Sequence, residues 1–230
     1  MDTTYSSPSA VARQGVDARA TFITRTYTHL LGAMIGFALV EVILFQTGLA
    51  YGIARAFLSV NWLLVLGGFM IVGWLTSRTA HTTVSRPAQY AALVGFVIAE
   101  ALIFVPLLFI AQTIAPGVIR SAALVTLIGF TGLTAVAVTT RKDFSFLGGI
   151  LRWGFVVALV LIVAGVIFGF ELGTFFSVAM IALAGGAILY DTSNILHHYP
   201  EDRYVGAALE LFASVALMFW YVLRLFMSRD

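Results

Sequence analysis

The sequence contains no cysteine, which excludes disulfides and thiolate metal sites. Charge is scarce as well. Only 10% of the 230 residues are Asp, Glu, Lys or Arg, where a soluble domain carries roughly 25%. So few charges cannot cover a water-facing surface, and a soluble fold is excluded. The net charge is +2 and no basic stripe is present, which leaves no nucleic-acid partner. The first 25 residues, MDTTYSSPSAVARQGVDARATFITR, have no apolar run of the kind a cleaved signal peptide needs. They read as a polar cytoplasmic tail (1–25) before a transmembrane domain (26–230).

What the chain has instead is apolar length. Hydrophobic residues make up 60% of it and its mean hydropathy is +0.99. A spanning helix needs about 20 mostly apolar residues, and seven runs qualify: Thr28–Leu49, Phe57–Thr76, Tyr90–Ala111, Val118–Thr139, Leu147–Phe170, Thr174–Ile195 and Val205–Phe226. The segments between them carry turn and polar residues, as in YGIARA, TIAPG, TRKDFS and HHYPEDRY. The predicted fold class is therefore an all-α integral membrane protein, a seven-helix bundle in a lipid bilayer. Small residues at helical spacing, Gly32 with Gly36, Gly165 with Gly169, and Ala184–Gly185–Gly186–Ala187, predict close helix approach.

Orientation follows from Lys and Arg. The tail and the even-numbered loops hold nine, at positions 13, 19, 25, 78, 86, 141, 142, 152 and 203; the opposite side holds four, at 55, 120, 224 and 229. The excess places the N-terminus in the cytoplasm and the C-terminus outside.

Four acids fall inside the spans: Glu41, Glu100, Asp191 and Glu210. A charge at the centre of a spanning helix costs about 2.5–3.5 kcal/mol on insertion scales, so such residues face a bundle interior or a wet cavity. At about 1.5 Å per residue, Glu41 and Glu100 fall roughly 15–20 Å from the starts of their spans. Asp191 and Glu210 each lie about 9 Å from the short loop joining the last two spans, at matching depth on neighbouring helices. Ser214 sits one turn deeper on the Glu210 face. Two outcomes are open for Glu210: facing Asp191, as a pair latched by protons, or pointing to the headgroups. Asp191 also stands in a polar run, YDTSN, suited to a wet cavity mouth or a hydrogen-bonded plug. Glu41 reads equally as a neutral packing element.

Catalysis finds little support. Of the four histidines, His29 opens the first span while His81, His197 and His198 fall in loops, and only one aspartate is intramembrane. A serine triad, an aspartyl dyad and a zinc site all lack a partner at depth. No cofactor is indicated, and no inverted repeat suggests a coupled transporter.

The pieces FTGLTAVAVTTRKDFSFLGGIL, ILYDTSNI and ALELFASVALMFWYVLRLF, on a seven-span layout, resemble the Bax inhibitor-1 (transmembrane Bax-inhibitor-motif) family, in its bacterial branch. The resemblance covers essentially the whole chain after the tail. It implies a bundle whose C-terminal helix is central, wrapped by the other six, in the bacterial inner membrane. It also implies a pH-sensitive cation leak, with calcium as the permeant ion. Two aspartates on the sixth and seventh helices gate such a leak, assisted by an arginine at the cytoplasmic end of the second. Asp191 matches the first aspartate, Ser214 occupies the place of the second, and Arg78 in WLTSR is the arginine candidate. Glu210, one turn away, is the available substitute for the missing acid. Arg78 is then expected beside Asp191. Relatives with serine at the second position resemble the branch linked to regulation of a membrane-bound ATP-dependent protease. That gives the alternative function, a non-conducting modulator of other membrane proteins.

Overall fold

The computed structural model describes residues 15–228. Eight helices follow in order: α1 (Val16–Gln46), α2 (Leu49–Ser59), α3 (Trp62–Thr82), α4 (Arg86–Ile114), α5 (Val118–Thr140), α6 (Leu147–Phe168), α7 (Thr174–His197) and, after one 3₁₀ turn at Glu201–Arg203, α8 (Tyr204–Met227). All except α2 are long and apolar enough to cross a bilayer. The seven expected spans are thus α1 and α3 through α8.

Three differences from the sequence reading matter. First, α1 starts at Val16, so residues 16–25 of the segment read as a tail are helical; residues 1–14 lie outside the described residues. This extension is held from the side. The Arg19 guanidinium donates to the Leu196 carbonyl at 2.6 Å, and Phe22 stacks on Tyr199 at 6.3 Å. Second, Leu49–Ser59 is a helix of its own. Eleven residues are too few to span, and its Ala50 and Ala54, four apart on one face, are buried against Val105. Third, α3 begins at Trp62 rather than Phe57, capped by the Asn61 side chain accepting from the Leu63 N–H at 2.9 Å. It ends at Thr82, which brings His81 into the helix.

The C-terminal helix is central, as expected. Of the best apolar window in α8, 67% is buried, against 6% in α3. It packs against α7, α1, α5, α4 and α3. Its small residues, Gly206, Ala207, Ala208 and Ala216 among them, let those neighbours approach. Helix α4, whose most apolar stretch is 61% buried, shares the centre. Between the two lies an aromatic cluster in which Phe104 stacks on Phe219 at 5.5 Å and meets Trp220 edge-on at 4.9 Å. Helix α6 packs chiefly on α7; the contact is close enough that a β-carbon on Gly186 would meet Leu151 at 3.1 Å. The outer faces leave Leu64, Trp153 and Phe175 exposed, which suits hydrocarbon rather than water. The small-residue expectation holds for this glycine and fails for Gly32, whose surroundings are open.

Candidate functional site

Helices α7 and α8 are joined at the Arg-rich end of the bundle, and the polar site is built just inside that junction. Asp191 lies six residues before the end of α7, Glu210 six residues after the start of α8 and Ser214 one turn further. Asp191 and Ser214 are both buried, and the Ser214 hydroxyl donates to Asp191 Oδ2 at 2.6 Å. Serine here supplies the donor, so one acid is held by a neutral group.

Glu210 turns its hydrogen bonds elsewhere. The Tyr199 hydroxyl donates to its Oε2, and His81 Nε2 lies 3.2 Å from its Oε1. The His81 ring is fixed from behind by Nδ1 at 2.8 Å from the Ser77 carbonyl oxygen. The ring is thus held between the Ser77 carbonyl of its own helix and the Glu210 carboxylate of α8. Tyr199 lies in the α7–α8 connection. Burial first, then the nearby Glu210 charge and its hydrogen bond, push the phenol well above its ordinary pKa. Asp191 and Glu210 thus hydrogen-bond to different partners, while both side chains line one cavity.

Arg78 is not part of this cluster. It is exposed, its guanidinium lies 5.2 Å from the centre of the Trp74 ring, and it forms no ion pair with Asp191 among the described residues. The expectation that it sits beside Asp191 is corrected: the base that α3 brings to the acids is His81, three residues on and one turn nearer the helix end. The sequence reading missed His81 because it ended the second span at Thr76. Its signal was helical spacing, since i and i+3 share a face with the position under suspicion.

The polar run after Asp191 divides its work. Thr192 is fully buried. The Ser193 hydroxyl accepts the Phe144 N–H at 2.8 Å and donates to Asp143 Oδ1 at 3.4 Å, which docks the RKDFS loop onto α7. Asp143 also accepts the Ser145 N–H at 2.9 Å. That bond, more than the neighbouring histidines, holds the exposed carboxyl below its ordinary pKa.

The cavity has a volume of about 980 Å³. It runs along α3, α4, α6, α7 and α8, from Ser77 and Gly148 at the Arg-rich end to Trp62 and Phe170 at the other. Asp191, Glu210, Ser214 and Glu100 line it. Glu100 is buried at the middle of α4. Glu41 is elsewhere: five residues before the end of α1, buried, outside the cavity lining, with neither carboxylate oxygen hydrogen-bonded. Of the four intramembrane acids, Glu41 alone is absent from the cavity lining. Among the described residues no group of three or more His, Asp or Glu is placed to hold a metal ion.

The sequence profile of the family described as "Inhibitor of apoptosis-promoting Bax1" matches residues 19–230. The chain is similar to the "Modulator of FtsH protease YccA" of Escherichia coli K12. It is 33% identical over 178 residues, which are 75% of this chain and 78% of that protein. The same identity and coverage hold for the "Inner membrane protein YccA" of Escherichia coli O6:H1. It is also similar to the "Golgi anti-apoptotic protein" of vaccinia virus strain Lister, 26% identical over 223 residues, covering 94% of this chain and 89% of the viral one.

Proposed function

This chain belongs to the Bax inhibitor family, and we propose that it modulates an ATP-dependent protease of the bacterial inner membrane. The observation that carries this reading is the likeness to the FtsH modulator over three-quarters of both chains. The site agrees with it, because Ser214 holds Asp191 where a carboxylate pair would be needed for the proton-shared gate. In this reading the Arg-rich end, with the N-terminus, faces the cytoplasm, and the chain catalyses no reaction itself. Tagged full-length protein purified from inner membranes should bring the protease with it. Proteoliposomes holding this chain alone should take up calcium at the background rate. Calcium entry without recovered protease would overturn the reading.

A second reading, a pH-sensitive cation leak, is favoured by one feature, the long cavity lined by Glu100, Asp191 and Glu210. Its closing contact would be His81–Glu210–Tyr199 rather than a carboxylate pair. Calcium prefers 6–8 oxygen ligands, so it would pass through rather than be held. Proton-dependent calcium flux that His81→Ala alters would support this reading, and the absence of flux at every pH would dismiss it.

A further inference from the structure

We propose that the cavity between α3 and α6 binds a lipophilic organic cation, an ammonium or phosphonium centre on an apolar body, with Glu100 as its counter-ion. This goes beyond the protease reading and does not depend on it. Three observations converge. The first is Glu100 itself. It sits fourteen residues from either end of α4, is 6% exposed and lines the cavity. It takes no hydrogen bond or ion pair among the described residues. Asp191 and Glu210, by contrast, have partners. An isolated carboxylate at this depth needs a compensating charge or a proton.

The second observation is the wall. Phe96 and Phe104 stand one turn to either side of Glu100 on the same helix face, Trp220 meets Phe104 edge-on, and Trp62 lines the cavity toward its far end. Aromatic faces attract a cation whose charge is spread over an apolar body, and the attraction grows when water is excluded. The third is size. About 980 Å³ is at the upper end of small-molecule sites and far more than a bare metal ion fills. The remaining charged lining residues are Asp191 and Glu210 toward one end, with Arg152 on the same side and Arg224 near the other end. Three acids against two bases favour a cation. Arg152 lies toward the Arg-rich end of the cavity and Arg224 toward the other, with Glu100 at the midpoint of α4 between them.

The test is equilibrium binding of radiolabelled tetraphenylphosphonium to the full-length protein in phosphatidylcholine nanodiscs. Saturable binding is expected, at least tenfold weaker in Glu100→Gln and unchanged in Glu41→Gln, whose acid lies outside the cavity. Neutral triphenylphosphine oxide and anionic oleate should fail to compete. The proposal is overturned by non-saturable binding, by wild-type affinity in Glu100→Gln, or by equal competition from the neutral compound or oleate; that competition would make the cleft a simple apolar or lipid-tail groove. The competition experiments use the unmodified chain and so decide the matter even if Glu100→Gln does not fold.

Discussion

Replacing Ser214 with alanine removes the hydroxyl that donates to Asp191 Oδ2 at 2.6 Å and leaves the rest of α8 unchanged. Both partners are at least nine-tenths buried, so water does not readily replace the lost donor. In a water-soluble protein a hydrogen bond to a charged group contributes about 1.5–3 kcal/mol. Between membrane helices measured couplings average about 0.6 kcal/mol and reach about 1.7, because the loosened state also finds partners. The shortness and burial of this bond put it at the upper end, about 1.5 kcal/mol. Methyl-for-hydroxyl replacement leaves little cavity, so packing loss is a minor part. The assay is a double-mutant cycle by SDS titration of the reconstituted protein, followed by helical circular dichroism. Ser214→Ala should lower stability by about 1.5 kcal/mol in the wild-type background and by close to zero in Asp191→Ala. Equal losses in the two backgrounds would refute the direct bond as the latch between α7 and α8.

Further outcomes follow from the same geometry. Gly206 faces His81, and an added β-carbon would lie 3.0 Å from Cε1 and 3.3 Å from the Ala80 carbonyl oxygen; Gly206→Val should separate α3 from α8 and expose Glu210 to labelling by a carbodiimide, whereas unchanged labelling would contradict the contact. Arg78→Ala should cost less than about 1 kcal/mol, the scale of an exposed cation–π contact, and should leave the Asp191–Ser214 coupling intact in the cycle. Asp143, whose carboxyl is held below its ordinary value first by the Ser145 N–H, contributes stability that is present above the usual carboxylate range near 3.9 and lost as pH falls through the depressed value. Thermal melts of Asp143→Asn and wild type should therefore converge at the acid end, separate as pH rises to about 3.9, and keep a constant gap above it. Ser214→Asp places a second carboxylate against Asp191 and, on the cation-leak reading, should raise calcium entry into proteoliposomes above that of the wild type.

Much of this architecture was legible because bilayer physics is coarse. Twenty apolar residues make a span whatever their order, so all seven crossing helices were found, and the most buried of them is the small-residue-rich last one. What escaped depended on side-chain direction or on helix outside the apolar region. The first turns of α1 are polar, with Thr21, Thr24 and Thr28 bonding back to carbonyls four residues earlier, and hydropathy is blind to such a segment. Helix α2 is half a span long, and its glycine and arginine read as a break. Within the site, Asp191 and Ser214 were identifiable by depth and by resemblance. The partner of Glu210 was not, because the Tyr199 hydroxyl reaches it from a connection whose path no periodicity describes. The choice between Arg78 and His81 turned on how far α3 runs past Thr76, because only the added turn carries His81 to Glu210.

The most direct measurement is the rate at which an ATP-dependent inner-membrane protease degrades a membrane substrate when co-reconstituted with this chain. Stoichiometric full-length protein should change that rate at least twofold, and Asp191→Ala, which removes the acceptor of the Ser214 bond, should weaken the change. A rate that stays the same with or without the chain, at every ratio tested, would contradict the role as a modulator.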